Sequence, residues 1–234
     1  MGFNEQVQAY IVAKYYDYLT KQFGEKGRAA FIHATRYYAL QRGRRMAQRA
    51  IRDGEALTQA NYNYYGEWVS SEEIKAKGIE NKSVVINNGI AKKIIQCPWH
   101  SKFKEMGMLE AGNLYCTYLD EAISEGFNPK LGYIVKSNLN ESDSCIHMLK
   151  SGNINEGANK GKNPSALMSF EYHCAHTYWA FHEVIVSIFQ EPGEELCQKV
   201  LTDFIKEFGI KMAERIVKYK NINFNVILQQ QIFG

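Results

Sequence analysis

The sequence predicts an α+β fold in which a single antiparallel sheet of about four strands packs against helices from both ends of the chain. Two observations predict it: apolar residues recur at helical spacing near both ends, and β-branched runs separated by turn residues fill the middle. We expect one domain over residues 1–234, with helices over 4–53, a sheet and a helix over 83–149, and helices over 167–219. Helices on one face of such a sheet leave a pocket between the layers.

Two amphipathic helices are expected at the start of the chain, over residues 4–23 and 26–53, with Gly24 ending the first. The apolar stripe of the first helix consists of Val7, Ile11, Tyr15 and Tyr18. The second helix has an apolar side and a basic side, which hold Leu40, Ala47 and Ile51, and Arg42, Arg45, Arg49 and Arg52, respectively. Arginines at this spacing usually form a solvated face, although one or two of them could instead clamp a substrate carboxylate.

The middle of the chain predicts the sheet. The run Val84-Val85-Ile86 is followed by Asn88-Gly89 and then by Ile94-Ile95. This order is typical of a tight antiparallel hairpin, because Asn and Gly tolerate positive φ. The remaining elements expected here are a helix over 111–125 and two strands, at 133–135 and 144–149.

The other segments include two expected loops. Residues 55–80 are aromatic without a clear period, which predicts a packed loop or lid, and residues 150–164 are rich in Gly, Asn and Lys without apolar anchors, which predicts a mobile loop. Two further helices complete the core, and Pro192 opens the second. Their apolar residues are Phe170, Cys174, Tyr178, Phe181, Ile185, Ile188, Leu196, Val200, Phe204 and Phe208. Residues 222–233 are expected either to pair as a strand or to stay loose.

Composition narrows the class of protein. Hydrophobic residues make up 45% of the chain and charged residues 23%, as in soluble globular proteins, and no apolar run is long enough for a membrane span. The basic excess lies in residues 25–55, with eight Lys and Arg against three Asp and Glu, while the rest is slightly acidic. We therefore expect no nucleic-acid or membrane partner. Five cysteines, an odd number in a long chain, favour free thiols and a cytoplasmic location.

The first cluster of reactive side chains begins at Cys97-Pro98-Trp99-His100. In the helix that follows, Cys116 and Asp120 are four residues apart and project from one face. A carboxylate beside a thiol raises the thiol pKa. Cys116 therefore has an alternative interpretation as a half-buried residue that packs as a small hydrophobe.

The second cluster is Asp143-Ser144-Cys145-Ile146-His147. Alternation along a strand sends Asp143, Cys145 and His147 to one face, which gives a carboxylate, a thiol and an imidazole together. The alternative is that these side chains are only neighbours through the pleat, with the imidazole out of reach of the sulfur.

The third cluster lies on the helix that contains residues 170–178. His173 and His176 are about 60° apart around the helix, so they can share a pocket. With Cys97 and His100 they would provide four ligands for Zn²⁺, a combination that also arises easily by chance. We expect no cofactor, and zinc stays the less favoured alternative.

The order of several short motifs resembles the L-2-amino-thiazoline-4-carboxylic acid hydrolase family, over roughly residues 20–210. The motifs are Cys97-Pro98-Trp99, Gly112-Asn113-Leu114-Tyr115-Cys116 with Asp120 and Gly126-Phe127, Ser142-Asp143-Ser144-Cys145, and the start of the helix from Glu171 to His176. The resemblance implies hydrolytic opening of a five-membered cyclic amidine, with N-carbamoyl-cysteine as the product. The arrangement of the cysteines also resembles the 4-vinyl-reductase type of domain, which implies a small-molecule-binding or sensor module without catalysis.

Ring opening needs a nucleophile, an acid for the leaving group and a carboxylate for the amidinium. Cys116 or Cys145 is the expected nucleophile, unless an activated water attacks. Asp120 is expected to pair with the amidinium, and His173 or His176 to move protons. The expected substrate-binding residues are Tyr115, Trp99, His100, Glu171 and Tyr172. We expect Cys116, Asp120, Cys145 and one of the two histidines to converge on one cavity.

Overall fold

The computed structural model describes residues 2–228, in which nine helices and four strands follow one another along the chain. The helices are α1 (Glu5–Phe23), α2 (Glu25–Arg52), α3 (Gln59–Tyr64), α4 (Glu72–Ala76), α5 (Pro98–Glu105), α6 (Leu109–Phe127), α7 (Phe170–Phe189), α8 (Glu191–Phe208) and α9 (Ile210–Val217). The strands are β1 (Lys82–Ile86), β2 (Ala91–Gln96), β3 (Tyr133–Ser137) and β4 (Cys145–Leu149). The predicted α+β class is confirmed.

All four strands form one antiparallel sheet in the order β1-β2-β4-β3. The predicted hairpin is confirmed, and Ile86 pairs with Ala91 across it. Its loop is four residues long, and Asn87, Asn88 and Gly89 all have positive φ, at 52°, 53° and 92°. In the pairing of β2 with β4, Lys92 lies opposite His147, so both side chains lie on one face of the sheet.

Two glycines allow α2 and α6 to pack closely. A Cβ on Gly43 would lie 2.0 Å from the carbonyl oxygen of Ile123, and one on Gly126 would lie 2.5 Å from that of Leu40. No side chain fits at either position without moving a backbone. Arg42, beside Gly43, is therefore held at a fixed position next to α6.

The larger of two hydrophobic clusters in the described residues has contributions from α1, α2, α5, α6, α7, α8 and α9, and the smaller one contains Tyr172, Ala175, Tyr219 and Phe224. The side chain of Asn4 caps α1 by accepting hydrogen bonds from the backbone N–H groups of Gln6 and Val7. Gly24, with φ of 56°, ends α1 as predicted. Within residues 2–228, no helix has both the length and the apolar character that crossing a bilayer requires.

Several sequence expectations about exposure are wrong. Ile51 is 63% exposed and Ile188 is 48% exposed, whereas Arg42, Arg45 and Arg49 are buried. The stripe expected to be solvated is largely internal, because a buried carboxylate on another segment pairs with it, as described below.

The two expected loops also differ from their predictions. Residues 55–80 contain the short helices α3 and α4. The segment 150–164 does have an apolar anchor: Ile154 is 2% exposed, and its carbonyl accepts hydrogen bonds from the side chains of Gln59 and Asn63. Residues 222–228 form turns and no strand, and the rest of that expectation lies outside the described residues.

Candidate active site

A cavity of about 210 Å³ lies between α6 and the inner face of the sheet, and we call it the sheet cavity. Its lining residues are Gln8, Arg42, Trp68, Asn81, Ser83, Lys92, Ile94, Cys97, Trp99, Tyr115, Cys116, Leu119, Asp120, Tyr133, Cys145 and His147. The periodicity of the helix and of the strands determines which side chains each element contributes to the lining. The α6 residues are spaced as one helical face, and alternate residues of β2 and β4 point to the same side of the sheet.

Three free thiols, those of Cys97, Cys116 and Cys145, line the sheet cavity. Burial raises the pKa of Cys97 to about 12 and that of Cys145 to about 11, and it raises the pKa of Cys116 well above its usual value. The backbone N–H of Leu139 lies 3.3 Å from the Cys145 sulfur and partly opposes the shift there. At neutral pH all three groups are therefore protonated thiols.

Asp120 and His147 face each other across the sheet cavity. His147 Nε2 lies 3.9 Å from Asp120 Oδ2, and His147 Nδ1 lies 2.8 Å from the hydroxyl of Tyr133. Burial lowers the pKa of His147, an effect that Asp120 opposes, so the imidazole is neutral at neutral pH. Because the carboxylate favours a proton on the nitrogen facing it, we assign that proton to Nε2. The Tyr133 hydroxyl then donates its hydrogen bond to Nδ1.

A chain of amide side chains supports the thiol of Cys116. Asn140 Nδ2 donates to the Cys116 sulfur at 3.5 Å and to Asn138 Oδ1 at 3.1 Å. Asn140 Oδ1 lies 3.1 Å from His100 Nδ1. His100 therefore contacts the site through Asn140 and does not line the sheet cavity.

Five of the ten predicted site residues line the sheet cavity: Trp99, Tyr115, Cys116, Asp120 and Cys145. Asp143 does not join Cys145 and His147, because β4 begins at Cys145 and Asp143 is exposed in the preceding turn. The carboxylate beside this thiol and imidazole is that of Asp120, from α6.

His173 and His176 do not line the sheet cavity, so the expected convergence is wrong for both. His173 Nε2 lies 3.2 Å from the carbonyl oxygen of Glu67, and His176 Nε2 lies 2.8 Å from Gln41 Oε1. Burial lowers the pKa of His173 to about 3 and that of His176 well below its usual value. The helical face that carries them packs against α2 and Glu67.

Glu171 and Tyr172 also lie away from the sheet cavity. Glu171 pairs with Arg215 of α9. The ring of Tyr172 lies 5.2 Å from the guanidinium carbon of Arg45. Both residues therefore connect α7 to neighbouring elements of the fold.

Glu67 is the buried partner of the arginine stripe. Its Oε1 accepts hydrogen bonds from Arg45 Nε at 3.0 Å and Arg49 Nη1 at 2.6 Å, and its Oε2 accepts one from Arg45 Nη2 at 2.7 Å. The Nε of Arg42 lies 3.8 Å from Oε2. The guanidiniums hold the pKa of Glu67 at about 2 despite its burial, which acts in the opposite direction.

Within residues 2–228, no three His, Cys, Asp or Glu side chains are placed so that they could hold a metal ion. The four zinc ligands considered from the sequence are not gathered. Cys97 lines the sheet cavity, whereas His173 and His176 lie in the core beside Glu67 and Gln41.

Sequence reasoning did not assign Arg42, Lys92 or Tyr133 to the site. In the sequence Arg42 is one member of the arginine stripe, and nothing in the local pattern indicates that it faces a cavity. Lys92 and Tyr133 follow from the strand register, because Lys92 pairs with His147 and Tyr133 lies two residues from its other partner, Val135. His147 was noted beside Cys145 but was not included among the expected site residues.

Comparison with known proteins gave one family. The model of the family described as L-2-amino-thiazoline-4-carboxylic acid hydrolase matches residues 4–146, more than half of the chain. A search of curated proteins and a search of solved structures each returned no match. All residues that line the sheet cavity lie within the matched region except His147, which follows it directly.

Proposed function

The chain belongs to the L-2-amino-thiazoline-4-carboxylic acid hydrolase family, and on that premise we propose that it hydrolyses a small cyclic amidine, such as a 2-aminothiazoline carboxylate, in the sheet cavity. The observation that carries this proposal is the convergence of Cys116, Asp120, Cys145 and His147 on one cavity from α6 and β4. A volume of about 210 Å³ is below the range of roughly 300 to 1,000 Å³ usual for drug-sized ligands, and it suits a single small ring.

Asp120 is proposed to hold the amidinium. It is the one carboxylate among the residues that line the sheet cavity. A carboxylate can accept two parallel hydrogen bonds from an amidinium, as it does from a guanidinium. Such pairing orients the carbon between the ring nitrogen and sulfur, and it stabilises the protonated amidine, in which that carbon is more electrophilic than in the neutral form.

Proton transfer is assigned to Tyr133 and His147 in place of His173 and His176. The Tyr133 hydroxyl can accept a proton from the attacking group while it passes its own proton to His147 Nδ1, 2.8 Å away. The resulting imidazolium faces the Asp120 carboxylate, which stabilises it. A neutral imidazole in the resting state is what this transfer requires.

Cys145 is the favoured attacking group. Its pKa of about 11 is lower than that of Cys97, and it lines the same cavity as Tyr133, the first member of the proton path. Attack forms a bond from the Cys145 sulfur to the amidine carbon. The bond from that carbon to the ring sulfur or nitrogen then breaks, and the leaving atom takes the proton back from His147 through Tyr133. Water then displaces the thiol and leaves the product carbonyl. Alternatively, a water molecule that transfers its proton along the same path adds directly to the amidine carbon and gives the same product without a covalent intermediate.

The bond that breaks determines the product. N-carbamoyl-cysteine forms when the bond from the amidine carbon to the ring sulfur breaks, which releases a thiol. The alternative, cleavage of the ring carbon–nitrogen bond, gives S-carbamoyl-cysteine with a free amine. Each route consumes one water molecule.

A binding or sensor module is the second candidate function. The observation that favours it is the raised pKa of all three cavity thiols, because a protonated thiol is a poor nucleophile. Such a module would bind the same class of ligand through Asp120 without converting it.

Turnover separates the two candidates. The purified protein is incubated with L-2-amino-thiazoline-4-carboxylate, and the products are identified by liquid chromatography and mass spectrometry. The proposal expects enzyme-dependent ring opening, and fragmentation of the product distinguishes N-carbamoyl-cysteine from S-carbamoyl-cysteine. Tight binding of the intact ligand without any product would instead support the sensor module.

A further inference from the structure

We infer that Arg42 binds the carboxylate of the ligand and so determines the preference of the sheet cavity for an amidine that carries one. The inference rests on the proposed function for the position of the amidinium at Asp120. It adds a residue that determines specificity for the substrate carboxylate.

The first observation is that Arg42 is buried with part of its hydrogen-bonding capacity unused. It is 8% exposed and lines the sheet cavity. Its Nε faces Glu67 Oε2 at 3.8 Å and has no hydrogen-bond partner among residues 2–228, so the ion pair with Glu67 satisfies this guanidinium only in part. A guanidinium carries five N–H donors, and a buried charged group without partners is costly. The position therefore favours a ligand that supplies acceptors.

The second observation is that Glu67 is already occupied. Its two oxygens accept close hydrogen bonds from Arg45 and Arg49, and Arg42 lies beyond hydrogen-bond distance at 3.8 Å. Three buried guanidiniums thus share one buried carboxylate. The excess positive charge lies at the end of the cluster that reaches the sheet cavity, where Arg42 is.

The third observation is that Arg42 and Asp120 line the same cavity without pairing with each other, while Lys92, the other cation in the lining, interacts with Asp120. Asp120 faces His147, and no ion pair joins Asp120 to Arg42 in the described part of the chain. In a cavity of about 210 Å³, a small ligand can reach both groups. A ligand carboxylate can accept two parallel hydrogen bonds from a guanidinium, which fixes its orientation as well as its affinity.

A neutral ligand, or one with the amidinium alone, would leave Arg42 without an anionic partner. A site built around a polar partner discriminates strongly against an analogue that lacks the matching group. The sheet cavity is therefore expected to prefer the carboxylate over the same ring without it.

The test compares two ligands on wild-type protein and three variants by calorimetric titration. The ligands are L-2-amino-thiazoline-4-carboxylate and 2-amino-2-thiazoline, which lacks the carboxylate. Arg42→Met should raise Kd for the carboxylate by about 10- to 100-fold and leave Kd for 2-amino-2-thiazoline nearly unchanged. Arg42→Lys keeps the charge without the planar fork, so an intermediate loss is expected.

The matched control is Arg44→Met, which removes the same charge from an exposed position on the same helix and should change neither Kd. Equal effects of Arg42→Met on both ligands, or none on either, would overturn the inference. If Arg42→Met does not fold, Arg42→Lys decides, because it must weaken binding of the carboxylate more than binding of 2-amino-2-thiazoline, and an equal effect on both would overturn the inference. Binding without turnover contradicts the proposed hydrolysis and leaves the role of Arg42 standing. Absence of binding by either ligand overturns both.

Discussion

Burial sets the protonation of the reactive side chains in the sheet cavity. It raises the pKa of the thiol of Cys145 and lowers that of the imidazole of His147, so both groups are neutral at neutral pH. The carboxylate of Asp120 can stabilise either a bound amidinium or an imidazolium at His147. The nucleophile is therefore expected to form only when a ligand accepts the developing charge.

Replacement of the thiols tests covalent catalysis at the residue scale. Cys145→Ser should lower kcat by about 100-fold or more while Kd changes little, because a hydroxyl is a weaker nucleophile of nearly the same size. Cys116→Ser makes the same change on the facing helix and should have a smaller effect. The measurement is steady-state kinetics together with ligand titration.

Unchanged turnover in both variants would remove covalent catalysis. Activated water, with Tyr133 and His147 as the proton path, would then be the remaining mechanism. A larger loss in Cys116→Ser than in Cys145→Ser would assign the attack to the thiol on α6.

At the scale of elements, α2 connects the core to the sheet cavity. Gly43 lets it pack against α6, Arg42 reaches the cavity, and Arg45 and Arg49 bind Glu67. The imidazole of His173, on α7, also lies within hydrogen-bond distance of the backbone carbonyl of Glu67. The segment between α3 and α4 is thus fixed by charge pairing with α2.

Glu67→Gln tests this charge pairing. The substitution leaves three buried guanidiniums without their carboxylate, so the free energy of unfolding should fall by about 3 to 5 kcal/mol. Glu125→Gln is the matched control, since Glu125 pairs with Arg36 of α2 at an exposed position and should cost less than about 1 kcal/mol. Urea denaturation of both variants provides the comparison, and equal losses would contradict a structural role specific to Glu67.

The elements were predictable from sequence where local chemistry determines them. Turn residues and β-branched runs located the hairpin, and Gly24 located the end of α1. The burial of the arginine stripe was not predictable, because it depends on Glu67, which is distant in sequence and carries no local signal. The same holds for His173 and His176, whose spacing suits a shared pocket whether that pocket is a site or the core.

At the scale of the whole molecule, the sheet cavity and the buried histidines belong to different parts of the chain. The cavity lies almost entirely within residues 4–146, which the family model matches, whereas His173 and His176 lie on α7. The two parts meet at the side chain of Gln8, which accepts a hydrogen bond from Trp99 and donates to Thr177. Replacement of the histidines on α7 is therefore expected to change the stability of the fold more than the chemistry of the sheet cavity.

Stability should fall as pH falls from 7 to 5. The folded-state pKa of His173 is about 3 and that of His176 is well below its usual value, whereas both are about 6.5 in the unfolded chain. Between those values the unfolded state binds more protons, so each histidine should cost roughly 2 kcal/mol at pH 5. Glu67 does not contribute in this window, because its carboxyl is ionised in both states above about pH 5.

Urea denaturation at pH 5 and pH 7 measures the effect. His173→Gln should reduce the pH dependence, and His33→Gln, at an exposed position, should leave it unchanged. An unfolding free energy that is equal at the two pH values would contradict neutral burial of these histidines.

Hydrolysis in the sheet cavity requires the carboxylate of Asp120, and steady-state kinetics of Asp120→Asn with L-2-amino-thiazoline-4-carboxylate measures that requirement. The control is Asp143→Asn, the same change at an exposed carboxylate two residues before Cys145. We predict that Asp120→Asn lowers kcat/KM by about 100-fold or more and weakens binding as well, since the amide loses the charge-assisted hydrogen bonds to the amidinium. Asp143→Asn should retain wild-type kinetics. Equal kcat/KM for wild-type protein and Asp120→Asn would contradict hydrolysis in the sheet cavity.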